Sequence, residues 1–462
     1  MLQDTISRFK SGFDCYTELR RQFNGRYTLT LTPDGHWTED IVKKGGVSAR
    51  VFLNNAYGFC ASGETDDASV TRIIETAKRN ATALSRYAPA RKATLLDIPH
   101  RIIPINDPVK DVDVKLLRSM GEDLMQYAST KYPDVETTIT VMQYTSEKLL
   151  VVSNGCDGRS NVVLGRIWVD MNKIRDDGEY IVGEADGACD VYLTDFFDAK
   201  RLYALADDAY EKLQKNLAET DEDKAEVEGG EHECILSPSF TSMLAHEAVG
   251  HTCEADSVAA KNSVAAANMG KQVASELVSL TDFAHTVFGE HCTIPLHIDD
   301  EGTPCIDAPI IKNGVLVGCM TNRILAERLG FPATGNARAS EYYDEPIIRM
   351  RNTCFHPGTS SLDDMIASID KGYYLTHSGG GNGDLDGRFN MTVAAGYEIV
   401  HGKLGRPIRG TMASGLAWDA LKTVDMVSSN FIEPKGTGEC GKKQSIPTGQ
   451  GGPEMMLRLT LG

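Results

Sequence analysis

Two histidines and a glutamate stand together in His246-Glu247-Ala248-Val249-Gly250-His251. This is H-E-x-x-x-H, one residue longer than the H-E-x-x-H of the familiar zinc proteases. Neutral imidazoles are good zinc ligands, and a catalytic zinc takes three protein ligands and keeps one position for water. Glu247 follows the first histidine directly and is placed to take the water's proton and pass it to a leaving amine. The extra residue poses a geometric problem. On a regular α-helix residues i and i+4 lie about 40° apart, but i and i+5 lie about 140° apart, too far for two rings to share one ion. A π-bulge would return them to one face, and Gly250 would tolerate the unwinding. The spacing therefore fits a metal only if the helix is deformed near Gly250. Otherwise His246 and His251 are unrelated helix residues and Glu247 is a solvated acid.

A third ligand must come from elsewhere. Glu254 and Asp256 follow closely in His251-Thr252-Cys253-Glu254-Ala255-Asp256. Cys440 lies in Gly436-Thr437-Gly438-Glu439-Cys440-Gly441-Lys442, which reads as a turn-rich loop where a thiol is hard to explain as core. A thiolate is a good zinc ligand, and Lys442 and Lys443 would favour its charged form. Cys440 ranks first and Glu254 second; His285 and His291 are further candidates without local support.

The elements that must position these groups are legible in part. Ser237-Pro238 is a helix-opening pair, with Ser as cap and Pro at the first helical position, behind a short strand Cys234-Ile235-Leu236. Apolar residues at helical spacing predict helices over 66–87, 114–129 and 199–218. The β-rich runs 137–141, 149–152, 162–164 and 167–169, with Asn154-Gly155 as a turn signal, suggest antiparallel strands. The acidic stretch 219–231 ends in paired glycines and marks the best domain boundary. Residues 293–320 and 343–462 are rich in glycine and β-formers, suggesting a large curled sheet or packed hairpins.

The chain has 462 residues, room for two to four domains at roughly 100–200 residues each. Hydrophobic residues make up 41% and charged residues 24%, and no apolar run approaches the about 20 residues a membrane helix needs. A formal charge of -18 makes nucleic acid a poor partner. The N-terminus lacks the apolar region of a secretory signal. The 11 cysteines, an odd number with no CxxC pair, suggest reduced thiols and a cytoplasmic setting.

The segment from His246 to Asp256 closely resembles the signature of the TldD/PmbA metalloproteases, the modulator of DNA gyrase family. Asp299-Asp300-Glu301-Gly302-Thr303, Asn313-Gly314-Val315-Leu316, Thr334-Gly335-Asn336-Ala337-Arg338, Arg349-Met350-Arg351-Asn352-Thr353 and Cys440-Gly441-Lys442 resemble the family's later motifs. The resemblance covers most of the chain and is strongest from about residue 232. It implies a TldD-like, metal-bearing subunit with zinc (Zn2+) on His246, His251 and Cys440 and Glu247 as general base. It implies a two-domain α+β subunit. Residues 1–225 would form an N-terminal domain of helices packed on an antiparallel sheet. Residues 226–462 would form a β-rich C-terminal metalloprotease domain with the metal-site helix. It further implies a dimer around a shared cavity, as a homodimer or a heterodimer with a PmbA/TldE-like subunit, that hydrolyses unfolded or flexible peptides. The alternatives are a non-catalytic binding or partner subunit with a structural metal, and a zinc hydrolase of non-peptide amides.

Two further features invite weaker readings. The run 378–387, with Gly379-Gly380-Gly381-Asn382-Gly383, hints at a calcium turn but misses the G-G-x-G-x-D register and occurs once. A strand edge that holds peptide backbone is the more plausible role. Arg338, Arg349 and Arg351 could hold a substrate carboxylate, although structural ion pairs are commoner.

Overall fold

The computed structural model describes residues 4–88, 93–103, 109–176, 178–218, 223–432 and 438–462. The expected residues 219–222 of the acidic boundary, and Gly436 and Thr437 before Cys440, lie outside the described residues.

The first half is an antiparallel sheet built on long strands. Tyr16–Leu31 sits at its centre, flanked by Trp37–Leu53 and Glu136–Val152, with Ala56–Ser62 outside the former and Asp157–Ile174 and Tyr180–Cys189 beyond the latter. The runs 137–141 and 149–152 belong to one strand, as do 162–164 and 167–169. Side chains alternate between faces along a strand. The odd-numbered face, with Leu19, Leu29, Ala49, Val141, Val151, Ile167 and Val169, is apolar and buried. Helices Asp67–Leu84, Val114–Lys131 and Ala199–Ala218 cover it with their own apolar stripes. Contact is close: a Cβ on Gly58 would lie 2.1 Å from backbone atoms of Ala77 and Ala81.

The even-numbered face carries Glu18, Arg20, Gln22, Asn24 and Arg50, all buried, and Lys148, whose side chain is 14% exposed. Their partners come from the second half of the chain. Arg50 pairs with Glu18 and Glu301, Lys148 donates to Asp300 at 2.7 Å, and Gln22 and Asn24 donate to the Ser340 carbonyl at 2.6 and 2.9 Å. Arg20 donates to the carbonyls of Glu341, Tyr342 and Asp344. The Asp299-Asp300-Glu301 motif thus provides counter-charges that join the two halves.

In the second half, strands Gly230–Leu236, Lys371–Gly383, Arg388–Val400, Thr411–Leu416 and Met455–Leu461 form a closed circuit. Each pairs with the next, and Lys371–Gly383 pairs with both Gly230–Leu236 and Arg388–Val400. The expected curled sheet therefore closes on itself, around Leu236, Leu375, Phe389, Met391, Val393, Ala413 and Leu459. A six-stranded sheet lies beside it. There Asn352–Phe355 pairs in parallel with Gln444–Gly451, and Gly438–Lys442 forms the edge. The chain is therefore α+β, with a β-rich C-terminal half. No described helix is long and apolar enough to cross a membrane.

Candidate metal centre

A helical segment opens at Pro238 behind Ser237 and packs among the strands of the closed circuit. It begins as an α-helix over Pro238–Met243 and becomes a π-helix over Leu244–Gly250. The His251 N–H donates to the carbonyl of His246, an i→i+5 bond between the two histidines themselves. The deformation that the H-E-x-x-x-H spacing demands is present. The rings meet edge to face, with centroids 5.2 Å apart. Gly250 closes the π-turn with right-handed helical backbone, and a Cβ there would lie 2.2 Å from Met350 Sδ.

Cys440 comes from the edge strand Gly438–Lys442, not from a turn-rich loop as its glycines suggest. Its Sγ lies 3.4 Å from His251 Nε2, and the ligand atoms of His246, His251 and Cys440 all fall within 4.8 Å of one another. Fully buried Arg349 fixes the strand by donating to the carbonyls of Cys440 and Gln444. Arg338 donates to the carbonyls of Met350 and Pro447, and Arg351 is paired with Asp282, both side chains fully buried. All three arginines thus bond to the scaffold, Arg338 and Arg349 through backbone carbonyls and Arg351 through a buried ion pair.

Burial pushes the Cys440 thiol up, but hydrogen bonds and charge from His246 and His251 outweigh it and hold it at about 4. Burial acts on His251 in the opposite sense. Hydrogen bonds to Cys440 and Glu254 overcome it and raise the ring to about 10. The histidines, rather than Lys442 and Lys443, keep the sulfur anionic. Lys442 faces Glu254 and Asp256 instead, and Lys443 is exposed at the hairpin turn.

Glu247 faces the donor cluster. Its carboxylate oxygens lie 4.0 Å from His246 Nε2 and 3.9 Å from His251 Nε2. Glu254, the second choice as ligand, instead takes a hydrogen bond from His251 Nδ1 at 3.2 Å, and Asp256 pairs with Lys442 at 2.6 Å. His285 stacks edge-on against His297, with centroids 4.6 Å apart, and neither it nor His291 joins the cluster.

The donor set fits zinc. Two imidazoles and a thiolate are a borderline-soft combination, and tetrahedral bonds of about 2.0–2.3 Å put donors roughly 3.3–3.8 Å apart. The 3.4 Å between Cys440 and His251 falls inside that range. His246 is 3% exposed, so its ring meets the cluster out of contact with bulk solvent.

The Gly-rich run ends the strand Lys371–Gly383, whose pairing with Arg388–Val400 is irregular from Leu375 to Gly381. A Cβ on Gly383 would lie 2.3 Å from the Glu247 carbonyl oxygen. The glycine lets this strand lie directly against the π-turn.

A model of the PmbA/TldA metallopeptidase C-terminal domain matches residues 229–460. A zinc metalloprotease TldD homolog of Saccharolobus solfataricus is 27% identical over 438 residues, 93% of this chain and 92% of its own. A metalloprotease TldD homolog of Haemophilus influenzae is 36% identical over 231 residues, 49% of this chain and 47% of its own. TldE from Thermococcus kodakarensis superposes with a TM-score of 0.73 at 16% identity, over 99% of each chain, which shows a shared fold. With the family model spanning half its length, this chain belongs to the PmbA/TldD metallopeptidase family.

Proposed function

We propose that the protein is a zinc-dependent peptidase whose metal is held by His246, His251 and Cys440, with Glu247 as its general base. One observation carries this reading: the π-turn puts both histidines beside Cys440 while Glu247 faces their Nε2 atoms. When bound, zinc supplies Lewis-acid polarisation of a carbonyl and lowers the pKa of water. Glu247 takes the proton of the attacking water and delivers it to the nitrogen of the leaving amine. Cys440 contributes negative charge, and Glu254 holds the His251 ring by its Nδ1.

The substrates in this reading are unfolded or flexible peptides, admitted as thin chains to a cavity shared by two subunits. The second subunit is another copy or a PmbA/TldE-like chain. The domains divide at 1–225 and 226–462, although Ala225 already packs into the second core. The setting is cytoplasmic, in keeping with 11 cysteines, an odd number with no CxxC pair.

The test is elemental analysis of the purified protein together with cleavage of an unfolded casein. Zinc near one per subunit is expected, and Glu247→Ala should keep the zinc and lose cleavage. Normal cleavage by that variant would refute the mechanism. Zinc without cleavage, unless a homologous subunit is added, would favour a binding subunit with a structural metal.

A further inference from the structure

We propose that Glu254 and Lys442 are positioning residues that lock His251 and Cys440 into one ligand frame before metal arrives. The inference rests on the metal-site reading above and adds residues that do not touch the ion.

Four groups form a closed circuit. Cys440 Sγ meets His251 Nε2 at 3.4 Å, and His251 Nδ1 meets Glu254 Oε2 at 3.2 Å. The same Glu254 oxygen lies 3.1 Å from Lys442 Nζ. Lys442 then leads back to Cys440, two residues away on the edge strand Gly438–Lys442 and therefore on the same face. Lys442 also reaches Asp256 at 2.6 Å and the Ile348 carbonyl at 3.3 Å. The circuit joins the end of the π-turn to a strand nearly two hundred residues later in the chain.

Each link has a physical consequence. Glu254 accepts a hydrogen bond from Nδ1, so that nitrogen keeps its proton, and Nε2, which faces the Cys440 sulfur in the metal-free protein, is the atom that would give up its proton to an ion. Glu254 is only 1% exposed, and a carboxylate so buried requires a counter-charge. Lys442 supplies it. Because Lys442 shares its strand with the thiolate, the ion pair that neutralises Glu254 also sets where Cys440 stands relative to His251. An ordinary structural ion pair would add stability without tuning the affinity of the donor set.

Zinc affinity of the folded protein, measured by chelator competition, separates the possibilities. The samples are wild type, Glu254→Gln, Lys442→Met, the double variant and Lys442→Arg, each with the melting temperature of its metal-free form. Each charge-removing single variant should bind zinc about 10–100-fold more weakly. The double variant should be no weaker than the worse single one, because both act through one circuit. Lys442→Arg, which keeps the charge beside Glu254 and Asp256, should recover most of the affinity. If wild type binds zinc tightly and the variants bind it equally well, even with lowered melting temperatures, the positioning role is overturned and the peptidase reading stands. Fully additive losses would also overturn it. A wild type that binds no zinc would overturn both.

Discussion

Gly383→Ala tests whether the strand behind the His246–His251–Cys440 cluster sets the position of Glu247. A methyl group at this position would lie 2.3 Å from the Glu247 carbonyl oxygen, 2.7 Å from its carbonyl carbon and 3.2 Å from the Ala248 nitrogen. Ordinary contact between non-bonded heavy atoms is about 3.5 Å, so strand and π-turn must separate by about 1 Å. Neither side offers a flexible side chain to yield. The strand belongs to the closed circuit, and the turn is pinned by the His251–His246 backbone bond. Overpacking of this kind costs about 1–3 kcal/mol. A displacement of about 1 Å at a general base can cost about 100-fold in rate. The assay pairs urea unfolding with casein cleavage at saturating substrate. Gly441→Ala is the control: its added methyl group meets nothing within 4 Å, and its φ is not left-handed. It should leave stability within about 0.5 kcal/mol of wild type. If Gly383→Ala unfolds and cleaves like wild type, the claim that this glycine seats Glu247 is wrong.

Two further expectations concern the frame. Arg351→Met strands Asp282 in a fully buried setting with Asn336 and Thr353 as its remaining side-chain partners, and urea unfolding should show a loss of about 3–5 kcal/mol. An unchanged midpoint would mean that the pair is dispensable. Glu18 makes the joint between the halves pH-dependent. Burial raises its carboxyl from 4.5 to about 7, with Arg50 pulling down and Glu301 pushing up. The folded state thus holds this proton more tightly than the unfolded state. Its contribution is fully present below pH 4.5 and is lost as pH rises through about 7, by up to about 3 kcal/mol. Glu18→Gln should remove that slope, so variant and wild-type stabilities diverge between pH 4.5 and 7; parallel curves would refute the assignment.

Local elements were readable because local physics forms them. The helices at 67–84, 114–131 and 199–218 follow from apolar spacing, and Pro238 opens its helix as its type requires. The need for a π-turn followed from counting residues between His246 and His251. The burial of the first sheet's polar face did not follow. Glu18, Arg20, Gln22 and Asn24 read as a solvated face, and Asp300, Glu301, the Glu341 side chain and the 340–346 backbone make their burial tolerable. Cys440 was singled out for its odd setting, yet its strand was hidden. Glycine-rich residues have weak β propensity, and pairing with Gln444–Gly451 forms the strand.

By itself the sequence determined the donor chemistry: two imidazoles, a carboxylate between them, a spacing that demands a bent helix, and a thiol without an evident core role. Those are properties of residue types and short intervals. The tertiary structure decided which atoms meet. It brought an edge strand against the π-turn, gave Glu254 to His251 rather than to an ion, and set Lys442 to balance it. Such choices depend on burial and on partners nearly two hundred residues away, which no local pattern encodes.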